Sequence, residues 1–292
     1  MIVVFGSINL DLIFPLPRIP VSGETVLTPT IRVEPGGKGA NQAVAAARDG
    51  AQVIMAGAVG RDALAAGALA LLRTTRVDLS RVIETDAATG CAAIAVDPTG
   101  NNAIAVGSGA NLLARAAQVE DAVLTPATTL VLQMEVPAGE TEALIARARA
   151  RGARVILNLA PAHVLPEACL RLLDMLVVNE TEAQTLAVEF GCEPTAPALC
   201  ETLSIAVVRT LGAAGLEAAI QADTMHLPAR KIDPVDTTAA GDCFVGVLAA
   251  ALDRGLPPAD AFRRATAAAA LCCTKAGSQS SLPTASEIDA FT

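Results

Sequence analysis

Short apolar runs that alternate with longer alanine- and leucine-rich stretches constrain this chain more than any other feature. Ile2–Phe5, Val53–Ala56, Thr129–Met134, Arg154–Asn158, Met175–Val178 and Ile205–Arg209 are nearly unbroken apolar runs. Strands that read this way are covered on both faces. Between them lie Ala40–Asp49, Asp62–Arg73, Gly139–Arg151, Glu180–Phe190, Cys243–Arg254 and Ala259–Cys273, which read as helices. The alternation predicts one α/β domain over residues 1–292, a central, mostly parallel sheet with helices on both faces. With 52% hydrophobic and 17% charged residues in 292, the chain can bury a core of that size.

Two stretches interrupt the pattern. Leu10–Val33 holds four prolines and Gly23-Glu24-Thr25-Val26, with no helical period. Cys91–Val96 and Ala103–Val106 flank Asp97-Pro98-Thr99-Gly100-Asn101-Asn102, a hairpin signal. Both segments, about residues 10–33 and 89–106, are expected in a small separate sheet that forms a lid over a site.

Composition narrows the function. Trp and Tyr are absent and Phe occurs six times, too few rings for a base-stacking surface. A net charge of −9 argues against nucleic acid and anionic membranes. It leaves ATP open, because backbone amides and a divalent cation can hold phosphates without a basic surface. The seven cysteines, at 91, 169, 192, 200, 243, 272 and 273, are odd in number, form no C-x-x-C and sit in mostly apolar surroundings. They read as reduced, buried thiols. Two histidines make a zinc site improbable. Met1 leads directly into an apolar strand without a basic leader, and no apolar stretch is long enough for a bilayer. The expected compartment is the cytoplasm.

Four places could carry chemistry. Pro35-Gly36-Gly37-Lys38-Gly39-Ala40-Asn41-Gln42-Ala43 brings glycine-rich backbone close to a ligand just before a helix. It is no P-loop, since Gly39 follows Lys38 and Arg32 replaces the leading glycine. The alternative is a tight turn with a helix cap. Asp236-Thr237-Thr238-Ala239-Ala240-Gly241-Asp242 opens a helix on small residues, which exposes free amides to an anion. A carboxylate there repels phosphate unless it serves as a base beside a transferring phosphoryl group; otherwise it is a helix cap. Asn179-Glu180-Thr181-Glu182 starts another helix, as ordinary dipole partners or as an oxygen-rich patch for hydrated Mg²⁺. Asn9, Asp11 and Glu135 lie just past apolar strands, where open α/β sheets bind ligands and where amides and carboxylates suit sugar hydroxyls. Each of them could equally cap a loop.

Together these pieces resemble the ribokinase family of carbohydrate kinases (PfkB type). The resemblance runs from about Val3 to Phe291. Gly6-Ser7-Ile8-Asn9-x-Asp11, Gly36–Ala43, Asn179–Glu182 and Asp236-Thr237-x-Ala239-Ala240-Gly241-Asp242 occur in the family's order. The resemblance implies a ribokinase-like fold and ATP-dependent phosphorylation of a sugar at a hydroxymethyl group, ribose first. It implies Asp242 as the catalytic base and the amides around Ala239, Ala240 and Gly241 as the anion hole. Asn9, Asp11, Gly37, Lys38, Asn41 and Glu135, with Asp242, are the implied sugar-binding set. Thr210, Gly212 and Gly215 match the turn along the nucleotide, joined by Asn179, Gly241 and Thr266, the last standing where the family often has a histidine near adenine. Asn179 and Glu182 are implied to support Mg²⁺ through water. Asp236, Thr238, Cys272, Gly277 and Ser281 are implied to hold an activating monovalent cation, usually K⁺. A homodimer through the β lid is also implied.

Rivals are another sugar or nucleoside kinase of this family, a non-catalytic sugar-binding regulator on the same scaffold, and a nicotinamide dehydrogenase. A pure binder has no use for a base at Asp242, and the dinucleotide fingerprint is missing.

Overall fold

Every residue of the strand Ile2–Phe5 (β1) is buried, and its side chains divide between two cores. Ile2 and Val4 enter one, Val3 and Phe5 the other. An unbroken apolar strand is the sequence signature of this two-sided burial. In the computed structural model, which describes residues 1–99 and 101–292, the chain continues through β2 (Asn9–Pro15), β3 (Arg32–Gly36), α1 (Lys38–Arg48), β4 (Val53–Gly60), α2 (Ala63–Ala68), α3 (Ala70–Thr74) and β5 (Asp78–Thr85). Then follow β6 (Gly90–Val96), β7 (Asn102–Gly107), β8 (Thr129–Leu132), α4 (Ala138–Ala150), β9 (Arg154–Asn158), α5 (Glu167–Leu170), β10 (Met175–Val178) and α6 (Glu180–Phe190). The rest comprises α7 (Ala196–Leu203), β11 (Ala206–Thr210), β12 (Leu216–Ile220), β13 (Asp223–Leu227), α8 (Ala240–Asp253), α9 (Pro258–Cys272) and α10 (Ala285–Phe291).

The nine-stranded sheet has the order β13-β12-β11-β10-β9-β8-β1-β4-β5. Its pairings are parallel from β11 through to β5, and β12 and β13 add antiparallel at one edge. Helices α1, α8 and α9 cover one face; α4, α6 and α7 cover the other. The four-stranded sheet, β3-β2-β6-β7, is the small separate sheet expected of the lid segments.

The lid departs from its expected bounds. Within Leu10–Val33 just the two ends are strand, because prolines cannot donate to a ladder. Strand β3 extends past Val33 to Gly36, into the glycine-rich segment. β6 and β7 pair antiparallel as the hairpin signal requires; Gly100 of that signal lies outside the described residues. The helix expected over Asp62–Arg73 is two helices that meet at Leu69. The β12–β13 hairpin and the polar edge strand β5 were not anticipated, since an edge strand lacks the continuous apolar run of a central one.

Helices α1 and α8 cross closely. A Cβ on Gly246 would collide with the Gln42 carbonyl oxygen and stand 2.6 Å from Ala45 Cβ. Gly39, in the first turn of α1, packs likewise: its Cβ would lie 2.7 Å from Gly6 C and Ser7 N. These two contacts fix α1 between the end of β1 and α8. Gly246→Ala should therefore cost about 1–3 kcal/mol, read as a lower denaturation midpoint at unchanged m-value. Gly139→Ala, where a Cβ meets nothing within 4 Å, is the control expected to lose no stability. Equal midpoints for Gly246→Ala and wild type would refute the close crossing.

Candidate active site

The parallel strands place their carboxyl ends on one edge of the sheet, and the polar residues gather there. β1 feeds Ser7 and Asn9, β8 feeds Gln133 and Glu135, and β9 ends on Asn158. The N-termini of α1 and α8 meet this edge with Lys38, Asn41 and Gln42 on one and Asp242 on the other.

Asp242 is 7% exposed, and both its oxygens are held from α1. Asn41 Nδ2 donates to Oδ2 at 2.9 Å and Gln42 Nε2 to Oδ1 at 2.9 Å. Gln42 is fully buried and fixed in turn: its Oε1 accepts from Gln133 Nε2 at 2.6 Å, and its Nε2 also reaches Asn158 Oδ1 at 3.1 Å. This chain of amides orients the carboxylate, because its donors reach the Asp242 oxygens together only in one arrangement. Sequence reasoning missed Gln42, Gln133 and Asn158 as site residues. Gln42 follows Asn41 in the glycine-rich motif, which was the available signal.

Around Asp242 lie the other expected sugar ligands. Glu135 Oε2 accepts from Ser7 Oγ at 2.5 Å and from the Lys38 amide at 3.2 Å. Asn9 Oδ1 accepts from Asn111 Nδ2 at 2.7 Å, and Asn111 Oδ1 from the Ile8 amide at 2.9 Å, so Asn111, a further unanticipated residue, orients Asn9. Gly37, at φ +89°, carries the chain from β3 into α1, past the Asn9 amide, in a backbone region open to glycine. Asn41 Oδ1 is buried without a protein partner among the described residues, an acceptor left for a ligand hydroxyl. The nearby Asp242 charge raises the Lys38 ammonium pKa despite burial, with help from Glu135 and Glu182. Burial, and then Glu135, Glu34 and Asp242, push the Asp11 carboxyl up to about 7.

A cavity of about 620 Å³ opens on the other side of the start of α8. It is lined by Thr210, Gly212 and Gly215 from the turn after β11, by Ala240 and Gly241 of α8, and by Thr266 of α9. Its lining is mostly apolar, as a base-binding cleft requires. Thr266 Oγ1 is buried there without a partner among the described residues. At the head of α8, Ala239 is left-handed (φ +59°), an uncommon conformation for alanine that turns the chain into the helix. The Ala240 amide donates to Thr237 O at 3.2 Å, so the Gly241 and Asp242 amides, which precede any intrahelical acceptor, are the free donors of this turn.

The expected cation residues converge. Asp236 accepts from the Thr238 amide at 2.9 Å and the Gly277 amide at 3.0 Å. Burial raises its pKa, but the hydrogen bonds from Thr238 and Gly277 and the charge of Arg32 outweigh that and hold it below the usual range. Cys272 Sγ lies 3.8 Å from Thr238 O and 3.0 Å from Ser281 Oγ. An anionic carboxylate, a carbonyl and a hydroxyl in one place fit a monovalent cation in donor chemistry. Asn179 and Glu182 form a reciprocal helix cap: the Asn179 amide donates to Glu182 Oε2 at 2.7 Å and the Glu182 amide to Asn179 Oδ1 at 2.8 Å. Burial raises the Glu182 carboxyl pKa. Both Glu182 oxygens are engaged in this cap.

The raised Asp11 carboxyl has a consequence for stability. Between the ordinary carboxylate range and about 7, the folded chain keeps a proton that the unfolded chain gives up. Its contribution is therefore present at low pH and lost as pH rises through that window. Asp11→Asn abolishes this titration. In sugar-free protein, its advantage in melting temperature over wild type should grow by about 2 °C or more between roughly pH 5 and pH 8. An advantage that stays constant with pH would contradict the burial of an ionising Asp11.

With this geometry in place, the relatives are informative. The family model described as pfkB family carbohydrate kinase matches residues 1–285. The chain is 35% identical to the ribokinase of Haemophilus influenzae over 292 residues, 97% of this chain and 95% of that one. The structure is similar to a crystal structure of ribokinase from Thermotoga maritima, with TM-score 0.90, 33% identity, and coverage of 99% of this chain and 98% of that one. It is also similar to the Arabidopsis thaliana ribokinase complexed with ribose and ATP, with TM-score 0.88, 28% identity, and coverage of 99% and 97%. The chain belongs to the pfkB family of carbohydrate kinases.

Proposed function

We propose that the chain moves the γ-phosphoryl group of ATP onto the 5-hydroxymethyl oxygen of D-ribose, with Asp242 as general base. One observation carries this reading. Gly241 lines the apolar cleft, while the side chain of its neighbour Asp242 is tied to Asn41 and Gln42 on the sugar side. The start of α8 is thus the border across which a phosphoryl group would pass. The identity with ribokinases and the likeness to a structure complexed with ribose and ATP support ribose and ATP as the two ligands.

In this reading Asn9, Asp11, Lys38, Asn41 and Glu135 hold the sugar hydroxyls. Asp242 takes the proton of the attacking hydroxyl as its oxygen bonds to the γ-phosphorus. The bond from that phosphorus to the β–γ bridging oxygen breaks, and ADP leaves. The free amides at the start of α8 and the helix dipole stabilise the charge on the transferring group. Mg²⁺, when bound with ATP, supplies charge neutralisation at the phosphates, and Glu182 would orient its water shell. K⁺ held by Asp236, Thr238, Cys272, Gly277 and Ser281 would fix the turn that presents those amides. Ile104 and Val106 on β7 and Val33 on β3 are half exposed, which supports a homodimer through the lid. All seven cysteines are free thiols, which supports a reducing, cytoplasmic setting. No described helix is long and apolar enough to cross a membrane.

A panel of pentoses, hexoses and nucleosides, scored by ADP release with ATP and Mg²⁺, should rank ribose first. Asp242→Asn should lower turnover by about 10²–10⁴-fold and leave ribose binding nearly intact. Retention of most turnover would remove Asp242 from the chemistry, and a higher rank for another sugar would reassign the substrate.

Activity should rise with K⁺ and fall when Na⁺ or tetramethylammonium replaces it at constant ionic strength. The change should appear in turnover at least as much as in sugar affinity, because preorganised amides act on the transition state. A rate flat across the three cations would leave Asp236 a purely structural cap of its turn.

A further inference from the structure

Glu34 belongs to none of the residue sets assigned above, yet it touches both sides of the site. It lies on β3 directly opposite Asp11 of β2, so the two carboxylates share a face of the lid sheet. Its Oε2 accepts from the Ser278 amide at 3.0 Å and lies 3.4 Å from Ser280 Oγ. Gly277, at φ +104°, leaves room for it: a Cβ there would stand 2.6 Å from Oε2. The adjacent Gly277 amide donates the other way, to Asp236 at 3.0 Å. Two successive amides of one loop are thus held by two carboxylates, one on the lid strand and one at the root of the turn into α8.

The seam continues beside Glu34. Ser278 Oγ donates to Pro35 O at 2.8 Å, and Gln279 Nε2 to Gly36 O at 3.5 Å. Gly36 abuts the Asp11 carboxylate so closely that any Cβ would overlap it. β3 then leads through Gly37 into Lys38. A ligand that fixes Asp11 and Lys38 must therefore fix β3, and β3 reaches the Asp236–Gly241 turn through Glu34, Ser278 and Gly277.

We propose that Glu34 is a positioning residue that couples sugar binding to the phosphate-binding turn, so that a bound sugar tightens nucleotide binding through the Glu34–Ser278 contact. The inference rests on the sugar-kinase reading above and adds to it the residue through which the two ligands sense each other. Reach and an acceptor oxygen both matter. The carboxylate accepts from a backbone amide and a hydroxyl at once, and an alanine would leave the Ser278 amide without this partner.

The test is calorimetry on the full chain, with ribose, with a non-hydrolysable ATP analogue, and with the analogue at saturating ribose. In wild type, ribose should tighten the analogue by about fivefold or more. Glu34→Ala should reduce that ratio to about twofold or less, while each ligand alone binds within about twofold of wild type. Glu34→Gln keeps an acceptor oxygen of the same reach and should restore most of the ratio; it also serves if Glu34→Ala fails to fold. Kinetically, Glu34→Ala should lower kcat more than it raises KM for ribose. Hydrogen exchange supplies a readout without any variant: ribose alone should slow exchange of the amides at 277 and 278 in wild type. An unchanged ratio in Glu34→Ala, a parallel loss of both separate affinities, a wild type without coupling, or exchange indifferent to ribose would each overturn the proposal. If wild type does not bind ribose at all, the ribose reading itself fails, and the coupling falls with it.

Discussion

The grip of α1 on the first turn of α8 is the constraint on which the rest of the site depends. Gly246 and Gly39 let the helix lie close to α8 and to the end of β1 at once. That proximity brings the amides of Asn41 and Gln42 within 2.9 Å of the Asp242 oxygens. Any residue that holds the helices apart lengthens those hydrogen bonds, and hydrogen bonds weaken steeply with distance and misalignment. The polar chain from Gln133 through Gln42 to Asp242 is thus built on two missing side chains. It also crosses the sheet's edge, since Gln133 follows β8 and Asn158 ends β9.

The charges around this grip are deliberately one-sided in effect. Burial first, and then the neighbouring Glu135, Glu34 and Asp242, push the Asp11 carboxyl up to about 7. Lys38 responds in the opposite sense, held in its charged form by Asp242 first. Buried acceptors in excess of donors are costly in an empty protein, because each carboxylate lacks the water it had in the unfolded chain. In the proposed reading, a polyol would bring hydroxyl donors to those at the sugar site. The same excess would reject an anionic sugar, whose charge would add to the repulsion.

The parts legible in the sequence are those whose physics is local. β1, β9, β10 and α6 have the bounds expected from the sequence, because both faces of a central strand are covered and the acidic start of α6 lies within the four residues Asn179–Glu182. The β12–β13 hairpin was not legible: Asp223–Leu227 is half exposed and carries Asp223, Thr224 and His226. The orienting residues were less legible still. Gln42 meets Asp242 across 200 positions and Glu34 meets Ser278 across 244, and nothing in either neighbourhood marks a partner so far away. Asn179 and Glu182 illustrate a different limit. The cap they form is what any helix start favours, and a role toward Mg²⁺ adds no further constraint on residue type.

A carboxylate at a helix N-terminus and an anion site in the same turn look incompatible, and the direction of the side chain resolves the conflict. The Asp242 oxygens are turned toward Asn41 and Gln42, away from the cleft that Gly241 lines. Their negative charge is partly met by two amide donors, so its field at the cleft is reduced. The backbone N–H groups of the same turn keep their own direction, set by the helix axis and by the left-handed Ala239. For an alanine that conformation costs about 1–2 kcal/mol, and the chain accepts it where an ordinary helix start would aim the turn elsewhere. One turn can then attract phosphate through its backbone while its side chain stays free to accept a proton from the sugar side. In the proposed reaction the two functions would fall on neighbouring residues of one turn, as in-line transfer between two ligands requires.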